Sequence, residues 1–463
     1  MIIRRLAAGA VVAGVSLLVL ETSSVLFRHA DTSGVLIRDA EAADVVEAPG
    51  KYYGASTCDG ASCHGKAEPR ATLPALQEYP TWKTGVGGGA PDRHSVAFKA
   101  LKAKDKGGDP QSYPIMEKLN AIEGTKDTSE TSERCLTCHG VAVHDYGVGK
   151  KNPGAAVGKH KELQTPKYTP EDGVSCDGCH GPAEKWFKKH DKKEWAPKEW
   201  VKAGGKTGGS QKLYDDYGIY YSKDLELWAN QCVRCHLKLD TNLEDAGHPT
   251  LVPFELFYQS SATPHWRDYS TAKDAPELPG AGPMNAAYLW QTGQVAALRE
   301  ALQQVVTHAK AKPEQLKAVV ERAQSHYTVL RHALKTFGAD AAKQLDEAMP
   351  KLDPAVAEKL IPVISPLVRT AADAKIDAAY VNGLLKDIAN DPAILENQAN
   401  ADQGARALNA LNSARLSAAN PAALAENPPK ETVLVAIFAM FDKPDVKGAD
   451  FKKQLETIKG AIK

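Results

Sequence analysis

All eight cysteines of this 463-residue chain fall into four motifs in which a pair of cysteines is followed at once by a histidine. Three motifs have two residues between the cysteines, and the first has four. The motifs are Cys58/Cys63-His64, Cys135/Cys138-His139, Cys176/Cys179-His180 and Cys232/Cys235-His236. The composition gives only about 0.004 chance matches to the strict pattern C-x-x-C-H. Any fold of this chain must therefore serve a chemistry that needs two thiols beside one imidazole.

The pattern is typical of covalent haem attachment. Two thiols add to the two vinyl groups of a haem as thioethers, and the adjoining imidazole binds the iron from one face. The longer first motif serves the same chemistry when its four intervening residues bulge, so that both sulfurs reach one ring edge. The sequence thus predicts four c-type haems, with His64, His139, His180 and His236 as proximal iron ligands.

Two other uses of paired cysteines compete with this prediction. Structural zinc binds two C-x-x-C pairs in a tetrahedral thiolate site, but it does not require a histidine directly after each second cysteine. A disulfide framework suits an exported chain with an even cysteine count, yet it also leaves the four histidines unexplained. Both alternatives are therefore weaker than haem attachment.

The first 42 residues have the layout of an export signal. Arg4 and Arg5 precede an apolar run from Leu6 to Leu20, which is short for a membrane span, and Ala40-Glu41-Ala42 is a small-x-small cleavage site. Because Val25-Leu26-Phe27 prolongs the apolar character, an uncleaved membrane anchor stays open as an alternative. Either route places the protein in the periplasm or another exported compartment, where covalent haem attachment takes place. The formal net charge of zero gives no indication of nucleic-acid binding.

The composition changes along the chain. Residues 50–270 are rich in Gly, Pro and Lys, with loops such as Gly85–Pro91 and Gly204–Gly209, and they predict a loop-rich tetrahaem domain whose haems supply much of the buried surface. Residues 271–283 hold a proline- and glycine-rich linker. Residues 284–463 have apolar residues at helical spacing and predict an α-helical bundle. The expected fold class is mainly α. The bundle histidines His308, His326 and His332 are expected to pack or to face solvent, and not to bind iron.

The second axial ligand of each haem iron must come from outside the motifs. Methionine is scarce here, and Met116 and Met284 are expected to be packing residues. Six further histidines lie in residues 50–270, so bis-histidine ligation of all four irons is open but not required. These histidines are His94, His144, His160, His190, His248 and His265. His160 and His265 are expected not to be ligands. His144, five residues after His139, reaches a neighbouring haem more easily than the far face of its own.

Residues 50–270 resemble the tetrahaem cytochrome c-554 family, known from the ammonia-oxidation electron chain. The stretches that carry the resemblance are Tyr53-Gly54-Ala55-Ser56-Thr57-Cys58, Arg93-His94-Ser95-Val96-Ala97, Gly173-Val174-Ser175-Cys176-Asp177-Gly178-Cys179-His180-Gly181-Pro182 and Ala246-Gly247-His248-Pro249. The family packs its haems in closely spaced pairs with crossed ligation. The longer first motif and the C-terminal bundle depart from the family's pattern.

The resemblance implies three axial pairs: His180 with His94, His64 with His190, and His236 with His248. In the family the haem that corresponds to the one on His139 can be left without a sixth ligand, although His144 is a nearby candidate in this chain.

The predicted function is that of an electron carrier between redox partner proteins. The alternative is an enzyme that converts nitric oxide or hydroxylamine at a five-coordinate haem on His139. A third hypothesis makes the C-terminal helices a docking or polymerising module, so that the chain acts as a scaffold in a larger complex or forms an oligomer. Nine lysines follow the third motif and are either a solvated face or a docking surface for an acidic redox partner. They are Lys185, Lys188, Lys189, Lys192, Lys193, Lys198, Lys202, Lys206 and Lys212.

Overall fold

The computed structural model describes most of the chain, and the described residues all belong to one compact unit, Arg38–Lys463. They are 48–66, 77–85, 90–143, 155–192, 195–249, 253–261, 282–419, 453, 455–457 and 459–460. The expected leader, His144, His265 and most of the expected linker lie outside them. None of the helices in the described part is long and apolar enough to cross a bilayer.

The first half of the described chain consists of short helices joined by loops. Its α-helices are α1 (Glu78–Thr84), α2 (Ser112–Glu123), α3 (Glu133–His139), α4 (Cys176–His180), α5 (Trp195–Lys202), α6 (Lys206–Tyr217), α7 (Leu225–His236), α8 (Thr241–Ala246) and α9 (Leu256–Ser261). A nine-residue 3-10 helix, Arg93–Leu101, lies between α1 and α2. No β-strand occurs in the described residues, apart from two isolated bridges.

The second half consists of longer helices, as the apolar periodicity predicts. These are α10 (Asn285–Thr307), α11 (Pro313–Phe337), α12 (Ala339–Ala348), α13 (Pro354–Ile364), α14 (Leu367–Asp373), α15 (Ala378–Asn390) and α16 (Gln398–Ala419). Pro313 and Pro354 stand at the first position of their helices, where a missing backbone N–H costs nothing. The mainly α fold class is confirmed.

Helix α10 is the centre of the second half and also joins it to the first. It packs against α11, α13, α14 and α16 of the bundle, and on another side against α7, which ends in the fourth motif. One hydrophobic core accordingly runs from Leu225 and Val233 of α7 to Trp290 and Leu298 of α10. The same core therefore contains residues from before and after the expected linker.

Charged and amide side chains reinforce this junction. Asp224 accepts the first free backbone N–H groups of α7 and so caps that helix. Its carboxylate also binds Arg369 of α14 at 2.6 Å, while the same guanidinium binds Glu226 at 2.7 Å. Because these three groups are largely buried, their ion pairs are screened less by solvent than surface pairs are. The start of α7 is thereby tied to the bundle.

The expected loop Gly204–Gly209 is only partly a loop. Helix α6 already begins at Lys206, so Gly208 and Gly209 are helical. A Cβ atom on Gly209 would lie 2.6 Å from the carbonyl oxygen of Trp200, which shows that this glycine allows α5 and α6 to approach closely. The glycines predicted a break because they are poor helix formers, but close helix packing decides the structure here.

Candidate functional site

Three of the four cysteine motifs are helical. The second motif closes α3, the third motif is α4 itself, and the fourth closes α7. In each, the first cysteine and the histidine are four residues apart, which is the spacing of an α-helical hydrogen bond and places both side chains on one face. A helical turn therefore aims two thiols and one imidazole at a common volume.

The first motif reaches the same relation without a helix. Cys58 ends the 3-10 helix Ala55–Thr57, and the chain then turns so that the Cys63 amide donates to the Gly60 carbonyl at 2.7 Å. The amide of His64 donates to the carbonyl of Cys58 at 3.2 Å, although six residues separate them instead of four. The two additional residues are thus looped out, as the expected bulge requires.

The thiols of different motifs approach each other. The thiol of Cys176 is within hydrogen-bonding reach of Cys58, and the thiol of Cys138 is within reach of Cys235. The first and third motifs therefore meet, and so do the second and fourth. All eight cysteines are free thiols in the structure. Burial raises the pKa of Cys135 to about 11 and that of Cys179 to about 12, so both are neutral before any reaction.

The histidines of this region form three facing pairs. The ring centres of His64 and His190 are 5.9 Å apart, with an angle of 11° between the ring planes. Those of His94 and His236 are 6.0 Å apart at 80°, and those of His139 and His248 are 6.4 Å apart at 67°. Each pair joins one motif histidine to one histidine from outside the motifs.

Only one pair agrees with the pairing that the resemblance implies. His64 faces His190 as expected, but His94 faces His236 instead of His180, and His248 faces His139 instead of His236. The ring that faces His139, at the position where the resemblance allows an open site, is that of His248.

Helix packing explains the different partner of His139. Helix α8 lies along α2, and the amide of His248, just after α8, donates to the carbonyl of Leu243 at 2.9 Å. Since α2 is the helix that precedes α3 in the chain, this packing brings His248 beside the second motif.

Five of the six paired histidines are also oriented by hydrogen bonds at Nδ1. His64 bonds Glu78 Oε2 at 2.9 Å, and His94 bonds Asp92 Oδ1 at 3.0 Å. His139, His190 and His248 bond the backbone carbonyls of Ala97, Phe187 and Pro249 at 3.0, 2.6 and 2.9 Å. An acceptor at Nδ1 holds the proton there and leaves the Nε2 lone pair bare, which is the tautomer that binds a metal through Nε2.

Burial keeps several of these rings neutral. It lowers the pKa of His236 to about 4 and also lowers the pKa values of His139 and His190. For His94, burial acts in the same direction, but the hydrogen bond and charge of Asp92 outweigh it, so that its pKa is raised. A neutral imidazole is the form that binds iron.

Aromatic side chains surround two of the rings, which the sequence motifs alone did not indicate. Trp186 meets His190 edge-on with ring centres 5.1 Å apart, and Phe187 lies 5.9 Å from it. Phe254, which is fully buried, lies 5.9 Å from His236. The pair Trp186-Phe187 shortly before His190 was the available signal for the first cluster. No local signal connects Phe254 to a motif 18 residues earlier.

The other candidate ligands have different surroundings. His160 is near carboxylates on both ring nitrogens, with Nδ1 at 3.2 Å from Glu162 and Nε2 at 3.6 Å from Glu133. Met116 is buried with Leu119 and Ala246, and it packs as expected. His308 and His326 are fully buried in the bundle. In the described part of the chain, no group of three or more His, Cys, Asp or Glu side chains is placed to hold a metal ion.

Comparisons of the chain with protein-family models, with curated proteins and with solved structures found no match.

Proposed function

We propose that this protein is an exported electron carrier with four covalently attached c-type haems. The observation that carries the proposal is the set of three imidazole pairs with ring centres 5.9, 6.0 and 6.4 Å apart. Two metal–nitrogen bonds of about 2 Å, with half an imidazole on each side, place ring centres roughly 6 Å apart. The spacing of each pair therefore fits one iron between two histidines.

The combination of thiols and imidazoles at each pair also supports covalently attached haem. Each pair contains the histidine of one cysteine motif, so two thiols are at hand for thioether bonds wherever two imidazoles face each other. The bound haem iron supplies reversible one-electron oxidation and reduction. Hydrogen bonds at Nδ1 hold five of the six paired imidazoles, and aromatic rings shield His190 and His236. A fixed, dry ligand shell lets the iron change charge with little rearrangement around it.

The ligand pairs of this proposal differ from those of the cytochrome c-554 resemblance. We assign His190 as the sixth ligand opposite His64, His94 opposite His236, and His248 opposite His139. Membership of the cytochrome c-554 family itself stays a prediction. The enzyme hypothesis placed its open iron at His139, and the facing ring of His248 favours a closed, electron-carrying site there.

Location and partners follow from the same proposal. Export to the periplasm, with cleavage of the leader or retention as an anchor, provides the compartment for haem attachment. Redox partner proteins deliver and accept the electrons. Four exposed lysines close to His190 in the chain form a surface suited to an acidic partner. We call this set the lysine surface, and its members are Lys185, Lys188, Lys189 and Lys192. Among them, Lys185, Lys188 and Lys192 have no ion-pair partner in the described residues.

The proposal is tested by producing the full chain in a host that matures c-type cytochromes. The intact mass of the purified protein should exceed the mass of the chain by four haems. Carbon monoxide added to the reduced protein should bind at most one haem in four, because three irons have two histidines each. A colourless product contradicts haem attachment, and carbon monoxide binding at two or more irons contradicts the three ligand pairs.

A further inference from the structure

A chain of buried side chains runs from the centre of the helical bundle to the loop that covers His236. His326 of α11 lies 2.9 Å from Gln294 of α10, measured from Nδ1 to Oε1. Gln294 donates its Nε2–H to Gln403 Oε1 of α16 at 3.3 Å, and Gln403 donates to the carbonyl oxygen of Phe254 at 3.1 Å. We call His326, Gln294 and Gln403 the glutamine relay.

The direction of every bond in the glutamine relay is fixed. The Phe254 carbonyl accepts only, so Gln403 must present its amide N–H to it and its Oε1 to Gln294. Gln294 in turn presents Oε1 to His326, whose Nδ1 must therefore hold the proton. Burial agrees with a neutral ring, because it lowers the pKa of His326 to about 3. Such chains polarise one another and gain strength over isolated bonds.

The cost of burying these groups indicates a specific role. His326 and Gln294 are fully buried and Gln403 is nearly so. Buried polar groups are costly unless they are paired, and the Nε2 atom of His326 has no partner in the described residues. The bundle thus buries polar groups at a cost in stability, and these groups present an N–H donor to one loop carbonyl.

That loop carbonyl belongs to the residue packed on a proposed iron ligand. The ring of Phe254 lies 5.9 Å from the ring of His236 at an angle of 37°, and His236 faces His94 across 6.0 Å at 80°. Two residues after Phe254, Leu256 packs so tightly on α10 that a Cβ atom on Gly293 would lie 2.3 Å from its Cβ. The loop is therefore fixed at two points, by the hydrogen bond to the Phe254 carbonyl and by the packing of Leu256 on α10.

We propose that the glutamine relay positions Phe254 against His236, and that the C-terminal bundle thereby sets the ligand geometry and dryness of the iron between His236 and His94. This inference rests on the proposed function. Its residues are positioning residues, since none of them touches the iron ligands directly. Within an electron carrier, the bundle then acts by adjusting the surroundings of one iron.

The experiment uses the full haem-loaded protein and the variants Gln403→Leu and Phe254→Leu. The electron paramagnetic resonance signal of the His94/His236 iron is first identified by its loss in His94→Ala. In both variants we expect this one signal to shift, and the midpoint potential of this one iron to fall, because water near His236 favours the more highly charged ferric state. The signals of the other irons should stay in place.

Gln291→Leu is the matched control. Gln291 is also fully buried in α10, but its partners are the Ala371 carbonyl of α14 and the Tyr380 hydroxyl of α15, and not the glutamine relay. The Gln291→Leu variant should have a lower free energy of unfolding, and the electron paramagnetic resonance signal of its His94/His236 iron should not shift. Equal shifts in Gln291→Leu and Gln403→Leu, or an unmoved signal in Gln403→Leu or Phe254→Leu, overturn the inference. A protein without haem or without histidine-ligated irons contradicts the proposed function instead, and this is visible in the unmutated chain.

Discussion

At the scale of single residues, the surroundings of the two ring nitrogens distinguish His190 and His248 from His160. His190 and His248 bond backbone carbonyls through Nδ1 and face a second ring through the other side. His160 instead has a carboxylate near each nitrogen, so neither nitrogen is left for a metal. This distinction depends on neighbours in space, and the sequence could show only that histidines were plentiful.

The His190→Ala variant should open one iron. We expect loss of the low-spin signal of the His64 haem, appearance of a high-spin signal, and binding of one additional equivalent of carbon monoxide in the reduced protein, because an empty axial position accepts a small molecule. His160→Ala is the control and should leave spectrum and gas binding as they are. An unchanged spectrum in His190→Ala would show that another group binds this iron.

Glu255 gives a prediction for pH dependence. It is fully buried, and burial raises its pKa from 4.5 to about 7, although the amides of Phe257 and Tyr258 and the charge of Arg406 act in the opposite direction. Between these two pH values the unfolded chain has released this proton and the folded chain still holds it. The free energy of unfolding then falls with rising pH by at most about 1.4 kcal/mol per pH unit from this group.

The Glu255→Gln variant removes this titration. Its thermal midpoint should fall less steeply than that of the unmutated protein from pH 5 to pH 7, and the two slopes should agree above that range. Asp177, whose pKa burial also raises to about 7, contributes equally to both proteins. The exposed Glu396→Gln is the control and should keep the original slope. Parallel curves for Glu255→Gln and the unmutated protein would refute the assigned titration.

At the scale of elements, the motifs were easier to predict than their partners. A C-x-x-C-H motif and the helices α10–α16 depend on neighbours within a few turns, so spacing and apolar periodicity sufficed. The pairing of His139 with His248 depends on α8 packing along α2, and that of His94 with His236 depends on the placement of the 3-10 helix Arg93–Leu101. Tertiary packing of this kind leaves no periodic signal in the chain.

The turn in the first motif allows a test at this scale. A Cβ atom on Gly65 would lie 1.6 Å from the carbonyl oxygen of Asp59, so Gly65→Ala prevents the turn from closing after Cys63 and His64. We expect the intact mass to show three haems instead of four in a substantial fraction of the protein. Gly208→Ala is the control, because nothing lies within 4 Å of its added Cβ. Full occupancy in Gly65→Ala would show that the turn is not needed for attachment.

At the scale of the whole molecule, the described halves form one structure in which the bundle supports the fourth motif. Helix α10 packs on α7, Arg369 binds the start of α7, and the glutamine relay reaches the loop over His236. The sequence predicted two domains because the composition changes sharply between them. Composition does not show that apolar faces of both parts share one core.

The lysine surface belongs to this scale because it concerns the partner. In the triple variant Lys185→Glu/Lys188→Glu/Lys192→Glu, oxidation of the reduced protein by the anion hexacyanoferrate(III) should slow roughly ten-fold at low salt, and oxidation by a cationic complex should accelerate. Both effects should fade as salt is added. The exposed bundle lysines in Lys343→Glu/Lys359→Glu/Lys386→Glu provide a control of equal charge change. Equal slowing in both triple variants would show that total charge, and not this surface, governs the rate.

The most direct test of the central claim is the electron paramagnetic resonance spectrum of the fully oxidised protein. The ring planes of His64 and His190 are nearly parallel at 11°, which predicts one ordinary rhombic low-spin ferric signal. The angles of 80° and 67° in the other two pairs predict two strongly anisotropic low-spin signals. A spectrum with only high-spin ferric signals, or with no ferric signal at all, would contradict iron held between these histidine pairs.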